Sequence, residues 1–482
     1  MYINKKCGTI LSVYYYIEVI ALSQVALPDE KQLSMQKSIF RKDITIMIKV
    51  VKFGGSSLAD ANQFKKVADI IHADPSRVYV VPSAPGRRFS DDTKVTDMLL
   101  KAYDIAVNGG DLDAQLKAIK ERYDEIITGL GLDFSLDEDF AEIKKTLTED
   151  PYQDYAASRG EYLNGKILAN YLGFEFIDAY EVIFFNDEGN ANLYKTQKVL
   201  SARLAELPNA VIPGFYGCGK DMRIKTFSRG GSDVTGSIVA ASTRAETYEN
   251  WTDVSGFMLT DPRVIKDPVT IDTITYRELR ELSYMGASVL HEDAIFPIRA
   301  KGIPINIRNT NDPSANGTWI VESTAKKPTN TITGIAGKKG FCTILVTKAM
   351  MNSEIGFCRK VLQAFEDYGI SIEHMPSGID TMTVVVHEDE FMSKEQKVVS
   401  AIHRYAQPDS VEIESGLSLI AVVGRGMRST RGTAAKIFTS LEKVGINIRM
   451  IDQGSSELNI IVGVDDSDFE KASKAIYDAF IK

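Results

Sequence analysis

Ser228-Arg-Gly-Gly-Ser-Asp-Val234 places an arginine, two glycines and an aspartate directly ahead of a run of small residues from 235 to 242. This composition predicts a helix at 234–242, whose start would favour an anionic ligand through unpaired N–H groups and the helix dipole. The glycines allow the backbone to approach such a ligand closely, and Ser232 or Asp233 is expected to cap the helix. Alone, the segment is weak support for a binding site, because glycine turns precede many helices.

The chain around this segment alternates between apolar runs and amphipathic patterns across residues 47–325. The predicted strands are 48–53, 78–82, 174–178 and 210–214, and the predicted helices are 60–72, 95–107, 112–129, 161–172 and 234–242. Such alternation predicts an α/β fold with three α/β/α layers and a mainly parallel sheet. Ligands of such sheets bind at the carboxyl ends of the strands.

The pattern changes after a polar, proline-containing segment at 324–331, which predicts a linker. Two units follow, at 333–406 and 413–482, and both have the order β-α-β-β-α. In the first unit the predicted second strand is 370–373. This order predicts two ferredoxin-like modules that lack at most a last strand.

Composition limits the class of partner. The 482 residues carry a net charge of −9 with a pI near 5.4, which argues against a nucleic-acid surface or an anionic membrane. The four cysteines have no C-x-x-C spacing, so reduced thiols in the cytoplasm are expected. Five histidines without an H-E-x-x-H motif make a histidine-built metal site unexpected.

Residues 1–46 differ from the rest of the chain. Lys5 and Lys6 precede an apolar stretch that resembles a signal peptide, but Glu18 interrupts it and the run is too short for a membrane span. A strand begins cleanly after Met47. We therefore expect 1–46 to be a dispensable extension.

A lysine follows the first predicted strand in Lys52-Phe-Gly-Gly-Ser-Ser57. In a Walker loop the lysine comes after the glycines, so this is a different motif. A lysine at a strand's carboxyl end and glycine N–H groups can still face a phosphate. The alternative is a tight strand-to-helix turn with a solvated lysine.

Three further segments carry polar residues beside turns. Tyr155-Ala-Ala-Ser-Arg-Gly-Glu161 is predicted to open a helix, where Glu161 either holds a substrate ammonium or caps the helix. Asp92-Thr-Lys-Val-Thr-Asp97 precedes another helix, and capping is the simpler interpretation. Trp251-Thr-Asp-Val-Ser-Gly-Phe-Met-Leu-Thr-Asp-Pro-Arg263 is either a nucleotide-binding stretch or a surface loop.

Together and in this order, these segments resemble the signature segments of aspartate kinases. The resemblance extends from about residue 47 to the C-terminus and includes two ACT modules. It is carried by Lys52-Phe-Gly-Gly-Ser-Ser57, Ser158-Arg-Gly-Glu161, Arg229-Gly-Gly-Ser-Asp233, Trp251-Thr-Asp-Val-x-Gly256, Thr260-Asp-Pro-Arg263 and Gln453-Gly-Ser-Ser-Glu457.

The resemblance implies transfer of the γ-phosphoryl group of ATP to the side-chain carboxylate of L-aspartate, giving 4-phospho-L-aspartate. This reaction is the first step towards lysine, which is made through diaminopimelate, and towards threonine and methionine. A carboxylate with a pKa of about 3.9 is already ionised at neutral pH. The reaction therefore needs positioning and charge stabilisation rather than a general base.

The resemblance also implies roles for individual residues. Lys52 would neutralise the moving phosphoryl group and Asp233 would orient Lys52. Arg229 would bind the α-carboxylate of aspartate through its planar fork, Glu161 the α-ammonium, and Thr96 would add a hydrogen bond. Mg²⁺ would arrive with the ATP phosphates rather than in a protein cage. The residues implied to hold ATP are Lys52, Gly54, Gly55, Ser56, Thr252, Asp253, Met258 and Arg263.

One position departs from the family pattern. Gly286-Ala-Ser-Val-Leu-His291 has Ser288 where the family has a lysine that touches the nucleotide in some members. The ATP contacts in that corner are therefore left open.

The ACT pair implies feedback regulation by lysine, threonine or both, with lysine favoured. ACT modules usually join edge to edge, so a homodimer or a dimer of dimers is expected. The alternative is that the loop needs its glycine and serine only to join a strand to a helix. The implied effector-binding residues are Met351, Ser353, Gly356, Phe357 and Glu373.

Two other functions compete with this prediction. One is a kinase for another acid or a carbamate, which the joint presence of Arg229, Glu161 and the ACT pair disfavours. The other is an amino-acid sensor with an inactive kinase half, which the retention of Lys52 and Asp233 disfavours. The length of the chain predicts no fused homoserine dehydrogenase.

Overall fold

The computed structural model describes residues 47–228, 230–287, 290, 294–324 and 330–481. The predicted extension 1–46, Arg229 and Ser288 lie outside the described residues. The described strands are β1 (Lys49–Phe53), β2 (Arg77–Pro82), β3 (Glu175–Phe176), β4 (Ala210–Val211), β5 (Tyr216–Cys218), β6 (Ile224–Thr226), β7 (Thr247–Thr252), β8 (Thr273–Thr275), β9 (Ile305–Asn309), β10 (Thr318–Val321), β11 (Gly334–Thr347), β12 (Thr381–His387), β13 (Ser410–Val423), β14 (Met450–Asp452) and β15 (Asn459–Asp465).

The helices connect these strands and cover the sheets. Short 3₁₀ turns lie at Gly55–Leu58, Met351–Ser353, Arg425–Ser429 and Asp466–Asp468. The described α-helices are α1 (Ala61–His72), α2 (Val95–Asn108), α3 (Leu112–Leu130), α4 (Asp137–Glu149), α5 (Gln153–Leu172), α6 (Ala179–Val182), α7 (Leu193–Ala205), α8 (Gly231–Thr243), α9 (Tyr276–Tyr284), α10 (Phe296–Arg299), α11 (Phe357–Glu366), α12 (Glu388–Met392), α13 (Glu395–Ala406), α14 (Thr433–Glu442) and α15 (Phe469–Ile481).

In the described part of the chain, eight strands form one sheet in the order β3-β4-β2-β1-β7-β9-β10-β8. Neighbouring strands are parallel except β9 and β10. Val50 and Val51 point to opposite faces because side chains alternate along a strand, and they belong to separate hydrophobic clusters. Helices cover both faces, so the predicted three-layer fold with a mainly parallel sheet is confirmed.

The C-terminal region contains an antiparallel sheet in the order β12-β11-β13-β15-β14. Helices α11 and α13 pack in one hydrophobic cluster with β12, while α14 and α15 pack with β13 and β15. The predicted ferredoxin-like pair is thereby confirmed. The expected strand at 370–373 is wrong: only isolated bridges, such as His374 with Val385, form there. Pro376 has no N–H to donate to a ladder, which limits pairing in this segment.

The two long strands β11 and β13 pass through both C-terminal modules. Gly334–Lys338 of β11 pairs with 419–423 of β13, and 343–347 pairs with 410–414. The second half of β11 also pairs with β12, and the second half of β13 pairs with β15. The last strand that each predicted unit lacked is therefore supplied by residues 410–414 for the first module and 334–338 for the second.

Helix α9 joins the large sheet to the second module through a buried carboxylate. Glu278 is fully buried and accepts hydrogen bonds from Thr333 Oγ1 at 2.6 Å, Arg425 N at 2.9 Å and Arg425 Nη1 at 2.8 Å. Nearby, Ile335 N donates to Leu259 O at 2.6 Å. The start of β11 is thus bonded directly to the 251–263 segment.

No helix within the described ranges is long and apolar enough to cross a membrane.

Candidate active site

The centre of the candidate site is a lysine–aspartate pair at the carboxyl end of β1. Lys52 Nζ lies 2.6 Å from Asp233 Oδ1, and Asn250 Nδ2 donates to the same oxygen at 2.8 Å. Asn250 stands opposite Lys52 in the pairing of β1 with β7. The two strands and the first turn of α8 therefore fix the ammonium of Lys52, and the structure brings together the two predicted catalytic residues.

The glycine turn after Lys52 is packed against the loop that follows β2. Gly55 O accepts from Gly86 N at 2.8 Å, and a Cβ on Gly55 would lie 2.8 Å from Ala84 O. Glycine is thus required here by close backbone contact. Gly54 N donates to Trp251 O at 2.9 Å, so the expectation that it faces phosphate is wrong, because the β1–β7 pairing uses this group. The N–H groups of Gly55 and Ser56 have no acceptor among the described residues.

Glu161 lies in the third turn of α5, and not at a helix start. The helix begins at Gln153, so the predicted start at 161 and the capping alternative are wrong. Only glycine fits at position 160 of this buried helix, because a Cβ there would come 2.8 Å from the Cβ of Ala84. Thr96 is a neighbour: its Oγ1 lies 3.8 Å from the same Cβ position. The structure therefore gathers Glu161 and Thr96 around the loop after β2.

The carboxylate of Glu161 is buried without full hydrogen bonding. Its side chain is 6% exposed, and Oε2 has no hydrogen-bond partner in the described structure. Burial raises the pKa of Glu161 to about 8, although the N–H groups of Ala84 and of Glu161 and the charge of Lys52 each lower it. An unpartnered buried oxygen with this pKa is suited to receiving a cationic group of a ligand.

Helix α8 begins differently from the prediction. Its N-cap is Gly230, with φ of 56°, and Gly231 is its first residue. Ser232 or Asp233 is therefore wrong as the cap, because Asp233 turns its carboxylate to Lys52. A Cβ on Gly231 would lie 2.6 Å from the ring of Phe215, so the glycine admits this ring.

Phe215 is a residue of this site that the sequence analysis missed. Its φ is 79°, an unusual conformation for a bulky residue that persists where surrounding contacts enforce it. Its N–H donates to Thr235 Oγ1 at 3.1 Å, and its carbonyl accepts from Phe227 N at 2.9 Å. The only hint in the sequence is the pair of glycines that flank it in Gly214-Phe-Tyr-Gly217. These contacts hold Phe215 against the first turn of α8.

The predicted ATP-binding residues fall into two groups. Thr252 ends β7 next to the Gly54 turn, and its Oγ1 lies 3.1 Å from Asp253 Oδ1. Met258 and Arg263 instead line a cavity of about 370 Å³, whose described lining includes none of residues 52–56. Arg263 pairs with Asp261 at 2.6 Å. The opposite wall of this cavity comes from β11 and α15.

The predicted effector-binding residues also lie in two separate regions of the first module. Met351 and Phe357 are buried in the core of the first module, while Gly356 caps α11 with φ of 84°. Ser353 ends the 3₁₀ turn between them. This loop contacts the beginning of β12, since Asn352 N donates to Ile379 O at 3.1 Å.

Glu373 lies near the other end of β12, where its N–H donates to Val385 O at 2.9 Å. Its carboxylate is 3.8 Å from His387 Nε2. Burial is the main cause of the raised pKa of Tyr284, and the hydrogen bond and charge of Glu373 raise that pKa further. At roughly 3.3 Å per residue, the two regions are about 20 Å apart along the strand. One copy of the chain does not bring all five predicted effector residues together.

The described residues contain no group of three or more His, Cys, Asp or Glu side chains that could hold a metal ion.

Comparison with known families defines the class of the protein. Residues 47–309 match the amino acid kinase family, and residues 420–480 match an ACT domain family. The first match covers every strand of the eight-stranded sheet except β10, and it includes the Lys52 site. The fold and this site define an ATP-dependent kinase of the amino acid kinase family with a C-terminal ACT region.

Individual relatives narrow this class. Aspartokinase 3 of Bacillus subtilis is 40% identical over 448 residues, which are 90% of this chain and 98% of the relative. The crystal structure of Clostridium acetobutylicum aspartate kinase is 53% identical, covering 90% of this chain and 100% of that chain with a TM-score of 0.82. Escherichia coli aspartokinase III, 25% identical with the same coverage, has TM-scores of 0.69 with aspartate and ADP (R-state) and 0.67 with lysine and aspartate (T-state). The chain belongs to the aspartokinases, which confirms the resemblance found in the sequence.

Proposed function

We propose that this chain transfers the γ-phosphoryl group of ATP to the side-chain carboxylate of L-aspartate, forming 4-phospho-L-aspartate and ADP. The observation that carries the proposal is the buried Lys52–Asp233 pair close to Glu161, whose Oε2 has no partner. The relative solved with aspartate and ADP supports the choice of substrate. The product would serve the biosynthesis of lysine through diaminopimelate, and of threonine and methionine.

In the proposed reaction, a carboxylate oxygen of aspartate bonds to the γ-phosphorus while the bond from that phosphorus to the β,γ-bridging oxygen breaks. ADP leaves with the electron pair. Lys52 stabilises the charge on the moving group, and Asp233 and Asn250 hold its ammonium in position. Mg²⁺ would supply further charge neutralisation on the ATP phosphates. No proton has to be removed from the nucleophile, which is ionised at neutral pH.

Substrate placement would come from the residues around this pair. We propose that Glu161 receives the α-ammonium of aspartate, that Thr96 adds a hydrogen bond, and that Arg229 binds the α-carboxylate. For the nucleotide we propose the free N–H groups of Gly55 and Ser56 and the side chains of Thr252, Asp253, Met258 and Arg263.

Turnover can be measured by coupled ADP release with L-aspartate. We expect aspartate-dependent turnover in the wild-type chain and its loss in Lys52→Met. If ADP release depends instead on another acid or on a carbamate, the aspartate assignment is wrong. If no acceptor supports turnover, the chain is an amino-acid sensor with an inactive kinase half.

Arginine variants test the placement of the two substrates. Arg229→Ala should raise KM for aspartate about 30-fold, because loss of a charged hydrogen-bond pair costs about 2 kcal/mol, with little change in KM for ATP. Arg263→Ala is the matched control and should affect KM for ATP alone. Equal effects of Arg229→Ala on both substrates would contradict the carboxylate assignment.

The pKa of Glu161 gives a pH test of its own. Because its pKa is about 8 in the empty site, most of the population is neutral at pH 7, and binding an ammonium requires loss of that proton. kcat/KM for aspartate should therefore rise up to tenfold per pH unit below about pH 8 and level off above it. Glu161→Gln should lower kcat/KM and remove this rise. A rise that persists in Glu161→Gln would assign the titration to another group.

Regulation is the finer part of the proposal. We propose that an amino acid, lysine and/or threonine with lysine favoured, binds at the first ACT module. One copy separates Glu373 from the 351–357 loop, so two copies joined through their ACT modules, as a homodimer or a dimer of dimers, would complete the site. The E. coli relative solved with lysine supports this choice. Turnover unchanged by either amino acid would reject the proposal.

The remaining assignments follow from the same considerations. We propose domain limits of 47–325 for the kinase domain, 333–406 and 413–482 for the ACT modules, and a cytoplasmic location. Strand sharing between the modules means that limited proteolysis should release the ACT pair together. Release of one module alone would contradict these limits.

A further inference from the structure

A second cavity, of about 900 Å³, lies between α9 and the second ACT module. Its described walls come from α9, from the segment after β10, and from the 3₁₀ turn Arg425–Ser429. They include none of the predicted catalytic, substrate-binding or effector-binding residues. Small-molecule sites commonly have volumes of about 300–1,000 Å³, so the cavity has room for a ligand.

Two pairs of arginines line this cavity. Arg277 and Arg280 are one turn apart on α9, and Arg425 and Arg428 are one turn apart on the facing segment. Arg277 and Arg428 have no ion pair within the part of the chain that the structure describes. Unpaired guanidinium groups at one cavity repel one another, and an anion bound between them would relieve that repulsion. This concentration of positive charge occurs in a chain with a net charge of −9.

The two acidic residues on the described walls are paired with neither Arg277 nor Arg428. Glu322 is paired with Arg299 at 3.1 Å. Glu281 accepts a hydrogen bond from Asn459 Nδ2 at 2.6 Å. Among the described residues, the charges of Arg277 and Arg428 are therefore left without an ionic partner at the cavity walls.

Arg425 is held in a fixed position at this cavity. Its Nη1 donates to Glu278 Oε2 at 2.8 Å, and Glu278 is fully buried. Its Nε is buried and has no hydrogen-bond partner among the residues that the structure describes. A buried donor without an acceptor is rare in folded proteins and indicates a missing partner. The guanidinium is thus positioned in advance for an acceptor.

We propose that this cavity binds a small phosphate-bearing anion. The planar fork of arginine matches phosphate oxygens in a bidentate manner, and hydroxyls of Ser283, Ser323 and Ser456 line the same space as further donors. The ligand bridges α9 and the second module. Since the end of α9 continues into Met285, which lines the cavity of Met258 and Arg263, the bound anion fixes one wall of that cavity.

Isothermal titration of the full chain with pyrophosphate, with ADP at saturation to fill the nucleotide site, tests the proposal. Wild-type protein should show saturable binding, and Arg277→Gln/Arg428→Gln should weaken it at least about tenfold through loss of charged hydrogen bonds. Arg359→Gln/Arg431→Gln, which changes two exposed arginines outside the cavity, should bind as wild type does. The lysine variant Lys52→Met should also bind normally.

Three results would overturn the proposal: no saturable binding in the presence of ADP, equal weakening in both double variants, or loss of binding in Lys52→Met. The cavity variant should keep its thermal midpoint, which separates loss of the site from loss of the fold. The titration needs no turnover, so its outcome is independent of the reaction proposed above.

Discussion

The two ACT modules contain equivalent loops, at 348–357 and 424–433, that follow the same strand–turn–helix plan and have different surroundings. Each leaves a long strand, makes a 3₁₀ turn and enters a helix through a glycine in the left-handed conformation. The φ angles are 84° at Gly356 and 82° at Gly432. Each loop buries one methionine in its module, Met351 and Met427. The 3₁₀ turn spans three residues in the first loop and five in the second, but this difference in backbone does not explain their separate roles.

The side chains do distinguish them. In the first loop Ile355 is 98% exposed and Met350 is 69% exposed. In the second loop Arg425 is tied to the buried Glu278 of α9. A duplicated element has thus become an open surface in one module and an anchor to the kinase domain in the other. The comparison teaches that a few surface side chains, rather than the fold of the loop, assign its role.

The largest expected effect is on the anchor. Glu278→Ala should lower the free energy of unfolding by about 3–5 kcal/mol, because it leaves Arg425 and Thr333 without their buried partner. Chemical denaturation measures the loss, and hydrogen exchange should rise in 424–433 but not in 348–357. The control Glu281→Ala removes one hydrogen bond from the same helix and should cost about 1 kcal/mol. Equal losses in the two variants would show that Glu278 is no anchor.

The next effect concerns the open loop. Ile355→Asp should weaken association of two copies at least tenfold, about 1.4 kcal/mol, because it replaces a fully exposed apolar side chain of this loop by a charge. Sedimentation equilibrium measures the association. Arg431→Asp changes the equivalent position of the second loop and should leave it unaltered. Loss of association in Arg431→Asp alone would reverse the assignment of the two loops.

A smaller effect is expected from the shared glycines. Gly356→Ala and Gly432→Ala should each cost about 1 kcal/mol, since the left-handed conformation is unfavourable for alanine and a Cβ would meet no atom within 4 Å at either site. Thermal denaturation should show similar losses. Only Gly356→Ala should change the response to lysine, and only Gly432→Ala should change pyrophosphate binding. The opposite pattern would contradict the separation of roles.

The smallest effect is a pH dependence of the anchor. Burial alone would raise the pKa of Glu278, but hydrogen bonds from Thr333, Arg425 N–H and Thr275 outweigh it and lower the pKa. A carboxylate with a lowered folded-state pKa stabilises the fold above its unfolded-state pKa, and this contribution is lost as pH falls through the folded-state value. The stability difference between wild type and Glu278→Gln should therefore shrink below about pH 4.5. A stability difference between wild type and Glu278→Gln that grows as the pH falls would contradict a lowered pKa of Glu278.

Local sequence patterns predicted much of the kinase sheet and the lysine at its centre. The apolar run after Met47 gave β1, and Lys52 follows from its position at the strand's end. The start of α5 could not be predicted, because Gly160 reads as a helix breaker until its contact with Ala84 is known. Helices α4, α7 and α9 were missed, as were four of the eight strands of the sheet, β7, β8, β9 and β10.

Longer-range features were also beyond the sequence. The positive φ of Phe215 depends on contacts with Gly231 and Thr235, which are distant along the chain. The last strand of each module, 410–414 for the first and 334–338 for the second, depends on the pairing of β11 with β13. Local propensity contains no information on which distant segments meet, so such features need the folded structure.

The use of residues 334–338 as the last strand of the second module has a consequence for synthesis on the ribosome. The first half of β11 emerges before the whole of the first module, yet its partner in β13 is not made until residues 419–423. During that interval these residues present an unpaired strand edge, which can associate with other chains. A nascent chain that stops between the two modules would display this edge permanently. Ribosome-bound chains halted there should therefore be more prone to aggregation than those halted before β11 or after β15.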